Sequence, residues 1–142
     1  MANGLNQQFI NDPERFLSGC KSIDTAKTQH GSSYAIDANG IASLDMVAYS
    51  PSQVMVKQAD GGFFSETPIS AYYLPSQVNQ TMFMNLSNGS DFFFTDLITG
   101  CQFMAYGYNR HNLRVCHVNA LDEGAADYER AATGIREYRF PR

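Results

Sequence analysis

The chain has 142 residues, 44% of them hydrophobic and 17% charged, with a 13% aromatic fraction supplied by Phe and Tyr alone; this composition fits one globular domain over 1–142, rich in strand-forming side chains. A formal charge of −4 and the lack of any Lys/Arg block exclude a broad phosphate-binding surface, so neither nucleic acid nor an anionic membrane is expected as a partner. Three cysteines leave at least one thiol outside any intrachain disulfide, which points to a reducing site of action.

The N-terminal MANGLNQQFINDPERF has neither the basic start nor the apolar run of a signal peptide, and no apolar run reaches membrane-spanning length. A soluble chain is expected. Within NDPERFLSGC, an Asx cap followed by Pro13 at the first helical position predicts a short helix ending near Gly19. Residues 31–45 alternate weakly between turn signals at Gly31 and Asn39-Gly40, which predicts two short strands. QVMVKQ (Gln53 to Gln58) alternates and runs into the turn ADGG, after which FFSETPISAYYL reads as extended chain interrupted at Pro68.

TMFMNL and DFFFTDLI, joined by SNGS, carry the clearest hairpin signal, and CQFMAYGY and LRVCHVNAL, joined by NRHN, predict another. In DEGAADYERAATGIREYRF, Asp122 is a cap and Tyr128, Ala131, Ala132, Ile135 and Tyr138 recur at helical spacing, predicting an amphipathic C-terminal helix. Arg130, Arg136, Arg139 and Arg142 are interleaved there with Glu129 and Glu137, the pattern of a solvated helix face. The expected fold is α+β: a mostly antiparallel β-sandwich or mixed sheets flanked by short N-terminal and C-terminal helices.

Two stretches offer a Cys, a Thr and a His. FLSGCKSIDTAKTQH holds Cys20 and His30, separated by a polar stretch with no pairing geometry, so Cys20 reads as a helix-end cysteine. FTDLITGCQFMAYGYNRHNLRVCHVNA holds Thr95, Cys101 and His117. Here Cys101 follows the tight turn Thr99-Gly100, where the backbone N–H groups of Gly100 and Cys101 can serve as an oxyanion hole. If His117 sits opposite Phe103 across the hairpin, Cys101 is its diagonal neighbour on one face, whereas a one-residue slip separates them. Thr95 is placed to reach the imidazole and fix its tautomer. Spacing alone leaves two readings open, a Cys-His nucleophile pair and a core Cys beside a satisfied strand His.

The string TDLITGC, with a His sixteen residues beyond the Cys, resembles the active-site segment of the cytotoxic necrotizing factor-like deamidases. That superfamily includes the Burkholderia lethal factor type and the chemoreceptor glutamine deamidases. Thr95, Cys101 and His117 stand where those two groups place Thr, Cys and His, with LITG in place of a Burkholderia-type LSG. The resemblance covers about 25 residues. It implies a strand-rich sandwich with the Cys-His pair in a narrow pocket, and hydrolysis of a Gln (less often Asn) side chain in a protein substrate such as a host signalling or translation protein. Transglutamination follows if an amine replaces water. It also implies no metal or organic cofactor, a monomer, and a toxin or effector acting in a reducing cytosol after delivery without a Sec signal.

Three rival readings follow from the same residues. A zinc site of Cys101, His111, Cys116 and His117 is disfavoured because adjacent strand residues point to opposite faces. A papain-like protease would need a longer chain with its Cys on an N-terminal helix. The rival from another class is a non-catalytic protein-binding module presenting a strand edge or the aromatic stretch FFSETPISAYYL. Asn119 shares the His117 face and reads as a surface Asn or a support for the ring, and Tyr106 and Tyr108 fall on the face opposite Cys101.

Overall fold

The computed structural model describes residues 4–19, 22–25, 40–61, 67–77, 79–96, 101–109, 111–119 and, as backbone, 137–139. The elements run α1 (Gly4–Asn11), α2 (Pro13–Gly19), β1 (Ser22–Thr25), β2 (Gly40–Ser50), β3 (Gln53–Gln58), β4 (Ile69–Leu74), β5 (Gln80–Leu86), β6 (Phe93–Thr95), β7 (Gln102–Asn109), β8 (Asn112–Asn119) and β9 (Glu137–Arg139). This is a mostly β, α+β chain with two short helices at its start and with mixed and antiparallel sheets. No helix among the described residues is long and apolar enough to cross a membrane. The described residues fall into two compact units, one ending at Ala71 and the other starting at Tyr72, with Gly40 grouped in the second.

In the first unit, α2 starts as its sequence dictates: Asp12 Oδ1 accepts the Arg15 N–H at 3.0 Å, and Pro13 sits where a missing N–H costs nothing. The preceding helix α1 was not foreseen. Its GLNQQFIN sequence has only a narrow inward stripe, Asn6 and Phe9, both buried. Phe9 meets Phe16 of α2 edge-on, with ring centroids 5.7 Å apart. The strands follow the order β1-β3-β2-β4, parallel between β1 and β3 and antiparallel between β3 and β2. Alternation along β2 buries Ala42, Leu44 and Met46 on one face.

Asn6 ties α1 to this sheet. Its side chain donates to Asp45 Oδ1 at 2.8 Å and to the Thr67 carbonyl at 3.1 Å, and its Oδ1 accepts the Met46 N–H at 2.8 Å. Of the two short strands expected over 31–45, the second falls within a strand of eleven residues that begins at Gly40 and runs on to Ser50, and residues 31–39 lie outside the described residues. The strand Gln53–Gln58 forms with the expected ends.

In the second unit, β4 continues through Tyr72–Leu74 and pairs in parallel with β6, Tyr72 opposite Phe93 and Leu74 opposite Thr95. A four-stranded sheet follows the order β5-β8-β7-β9, with antiparallel pairing throughout. The two layers share one core. Tyr72, Leu74 and Phe93 of the β4–β6 pair pack with Met82, Met84, Leu86, Phe103, Ala105 and Val115 of the sheet. The sheet's other face buries Met104, Tyr106, Cys116 and Val118, with Phe83 against them. Burial on both faces explains why four successive residues of β8, Val115 to Val118, are all inside.

The SNGS hairpin does not form: β5 pairs with β8, and β6 pairs with β4. The physical reason is Tyr72. Its hydroxyl accepts the Ser87 and Gly89 N–H groups at 3.4 and 3.1 Å and meets Ser87 Oγ at 3.2 Å, so the segment wraps a buried phenol and carries the chain from one layer to the other. At the C-terminus, Glu137–Arg139 is a strand paired with β7, which corrects the helix expected to run through Tyr138. The rest of that expected helix lies outside the described residues.

Candidate active site

The β7–β8 hairpin forms as the sequence predicts, and its register decides the site. Phe103 lies opposite His117, and Gln102 opposite Val118. At the tip the register shifts between Gly107 and Asn109, a bulge that leaves Tyr108 exposed. Gly107 is required there because a Cβ would collide with the Asn112 carbonyl oxygen. Beyond the bulge the pleat is regular through Gln102. Cys101 directly precedes β7, two residues before Phe103, the residue opposite His117.

His117 is fully buried in the middle of β8, between Met82 of β5 and Phe103 of β7. Its Nδ1 is 2.8 Å from Thr95 Oγ1, and that same oxygen is 2.7 Å from the Leu74 carbonyl. A hydroxyl has one proton to give. The Leu74 carbonyl can only accept, so Thr95 donates to it, and the Thr95 oxygen must receive the proton carried by Nδ1. We assign the neutral tautomer with hydrogen on Nδ1 from this donor count. The lone pair is then on Nε2, which is buried and has no hydrogen-bond partner among the described residues. Burial lowers the His117 pKa from its usual 6.5, and the charge of Asp96 partly opposes that. The ring is held neutral and basic at neutral pH.

Thr95 owes its position to β6, a strand of three residues whose parallel pairing with Leu74 brings the hydroxyl to that residue's carbonyl. The next residue, Asp96, is buried and was not singled out from the sequence. Its carboxylate accepts from the Tyr73 hydroxyl, from Ser76 N at 2.7 Å and from Ser76 Oγ at 3.0 Å. Those donors lie 23 and 20 residues away in sequence, so the only local sign was an Asp directly after an aromatic strand.

The other candidates separate clearly. Cys101 is half-buried and Cys116 fully buried, and neither is in a disulfide. Cys116 faces the second core, where burial pushes its thiol up to about 11, slightly countered by Arg114. It therefore points away from His117, against the zinc grouping. His111 is at the hairpin tip, its Nδ1 2.7 Å from Asn88 Oδ1. Tyr106 packs in the second core, on the sheet face opposite Phe103, and Asn119 is half-buried at the end of β8. The aromatic stretch of the binding-module reading is largely core from Ile69 to Leu74, where only Ser70 is exposed; residues 62–66 lie outside the described residues. So do Cys20, His30 and Gly100, the last with its expected oxyanion role.

No family model and no curated protein matches this chain. The geometry on which a functional reading can stand is the Thr95–His117 contact and the register of the β7–β8 hairpin.

Proposed function

We propose that the chain is a cysteine-dependent protein glutamine deamidase with Cys101 as nucleophile, His117 as base and acid, and Thr95 as the residue that orients the imidazole. The observation that carries this reading is the Thr95 hydroxyl shared between the Leu74 carbonyl and His117 Nδ1, which leaves the buried His117 Nε2 without a partner among the described residues, on a strand whose neighbour β7 begins one residue after Cys101. A structural His buried in a core has both ring nitrogens satisfied. Here one nitrogen is fixed and the other is kept open.

The chemistry is acyl transfer. Nε2 takes the proton of the Cys101 thiol, and the thiolate adds to the carboxamide carbon of a substrate Gln, placing the negative charge on the amide oxygen. The imidazolium protonates the departing nitrogen, ammonia leaves, and a thioester remains on Sγ. Nε2 then takes a proton from water, whose oxygen replaces sulfur at the carbonyl, and Glu and the free thiol are released. An amine in place of water gives an isopeptide instead. The reading entails no metal or organic cofactor, a protein substrate, and action in a reducing cytosol, where a free thiol persists. Monomeric behaviour and delivery into another cell as a toxin or effector belong to the same proposal.

The test is Gln-to-Glu conversion in proteins of a cell lysate incubated with the chain, read by peptide mass spectrometry. Conversion at defined Gln residues that disappears with Cys101→Ser is the expected result. Full conversion by a folded Cys101→Ser protein would overturn the assignment.

A further inference from the structure

The turn Ser87-Asn88-Gly89-Ser90 leads from β5 toward β6, and its Asn-Gly pair has a chemistry of its own. In such a pair the backbone nitrogen of the Gly can add to the side-chain carbonyl of the Asn and close a cyclic imide, and the missing Cβ leaves that approach open. The structure sets groups on both sides of this step. His111 Nδ1 lies 2.7 Å from Asn88 Oδ1. A carbonyl oxygen can only accept, so Nδ1 carries the hydrogen and donates it to the carbonyl under attack. On the nucleophile's side, the Gly89 N–H donates to Tyr72 Oη at 3.1 Å. That oxygen also accepts the Ser87 N–H at 3.4 Å, so its own hydrogen goes to Ser87 Oγ, 3.2 Å away. Asn88, Gly89 and His111 are exposed, and Ser87, Asn88, Ser90, Asp91 and His111 line an open cleft of about 370 Å³ that admits water to the amide.

We propose that Asn88 is a self-modification site: its side-chain amide is displaced by the Gly89 nitrogen, with His111 polarising the amide carbonyl and Tyr72 receiving the Gly89 proton, and water then opens the imide to an aspartyl or isoaspartyl residue. The Gly89 nitrogen bonds to Asn88 Cγ as its proton passes to Tyr72 Oη, the phenol passing its own to Ser87 Oγ and that hydroxyl its own to water. Negative charge gathers on Oδ1, where the Nδ1 hydrogen of His111 meets it, as in an oxyanion hole. The bond from Cγ to the amide nitrogen then breaks, and that nitrogen takes a proton from water and leaves as ammonia. Water adds to one imide carbonyl and breaks its bond to the Gly89 nitrogen, which regains a proton. Opening at the side-chain carbonyl gives the aspartyl product, and opening at the main-chain carbonyl gives the isoaspartyl one. Water is consumed and ammonia released, with no change of oxidation state. A carboxylate replaces a neutral amide beside His111, in a cleft that Asp91 already lines.

The chain carries its own reference, since Asn3-Gly4 and Asn39-Gly40 repeat the dipeptide. Protein incubated at neutral pH is digested, and aspartyl and isoaspartyl peptides are separated and counted by mass spectrometry. Isoaspartate at position 88 is the expected product. The imide gives it and hydrolysis of a Cys101 thioester does not, so the inference is independent of the deamidase reading. Asn88 should convert about tenfold faster in the folded chain than in guanidinium chloride, the modest end of what a donor at a developing oxyanion contributes. His111→Ala, at an exposed position, should remove that advantage while the rates at Asn3 and Asn39 stay as they are, and His111→Gln, which keeps a donor, should recover part of it. Conversion no faster in the folded chain would mean that the hydrogen bond of Gly89 protects the dipeptide, and an unmoved rate in His111→Ala would mean that the imidazole takes no part. Either result overturns the inference, as does aspartate without isoaspartate at position 88.

Discussion

Each unit of the molecule contains a buried knot of polar side chains, and the two differ in one atom. In the first, Asn6 donates to Asp45 and Thr67 and accepts from Met46, so its donors and its oxygen are all engaged in joining α1 to β2. In the second, Thr95 uses its hydroxyl twice and fixes His117, yet Nε2 of that ring is left buried without a partner among the described residues. A satisfied knot returns the desolvation of its groups as fold stability; an unsatisfied one keeps a cost that folding alone does not explain. Under the proposed function, the open nitrogen of the second knot is the atom that takes the Cys101 proton.

The strongest way to break that contrast is to remove the ring. His117→Ala should lower Gln conversion by about a thousandfold, the scale of a lost general base, and should slow Cys101 alkylation to the rate of an unactivated thiol. Alkylation that stays fast would mean that Cys101 is activated by something else. The counterpart in the other unit is Asn6→Ala, which deletes three hydrogen bonds, two of them buried, and leaves Asp45, Met46 and the Thr67 carbonyl each short of one partner. It should destabilise the protein by about 3 kcal/mol in urea unfolding, with Cys101 reactivity unchanged while the protein is folded. A loss of reactivity in folded Asn6→Ala would show that the first knot is not merely structural.

These contrasts were unequally legible in the sequence. The β7–β8 hairpin and its register were within reach because the turn is local and the alternation on either side of NRHN is clear, and that register sets Phe103 opposite His117. Strand β3 was equally plain from its alternation and the ADGG turn that follows it. The β5–β6 hairpin was misread for a physical reason: Asn88-Gly89 does mark a turn, but where the strands go afterwards is set by Tyr72, some fifteen residues earlier. Parallel pairing of β6 with β4 has no local signature either. Asp96 and Asn6 were invisible for the same cause, since their partners lie 20 or more residues away and each looks like an ordinary surface residue until those partners are in place.

A smaller effect sharpens the role of the hydroxyl. Thr95→Ala takes away the acceptor for Nδ1, so the ring loses its preferred tautomer and orientation while its basic character survives. Alkylation of Cys101 should fall about tenfold, well short of the loss in His117→Ala, and Thr95→Ser should restore most of it. A folded Thr95→Ala protein as unreactive as His117→Ala would mean that Thr95 does more than orient the ring.

The smallest effect lies in the pH dependence of stability, and it too divides the knots, because an amide does not titrate and an imidazole does. Burial lowers the folded-state pKa of His117 below its usual 6.5, with Asp96 opposing. As pH falls through about 6.5 the unfolded chain therefore takes up a proton that the folded chain refuses until lower pH. Stability from this group is present above 6.5 and is lost between there and the folded value. One proton limits the slope to at most about 1.4 kcal/mol per pH unit. Urea unfolding between about pH 7.5 and 5.5 should show this slope in the native chain. His117→Gln should lack it, and subtracting the two removes the contribution of carboxylates that titrate lower. Equal slopes would mean that folding leaves the His117 pKa where it is in the unfolded chain, and a slope of opposite sign would mean that the folded ring holds its proton, in which state it could not act as the base that takes the Cys101 proton.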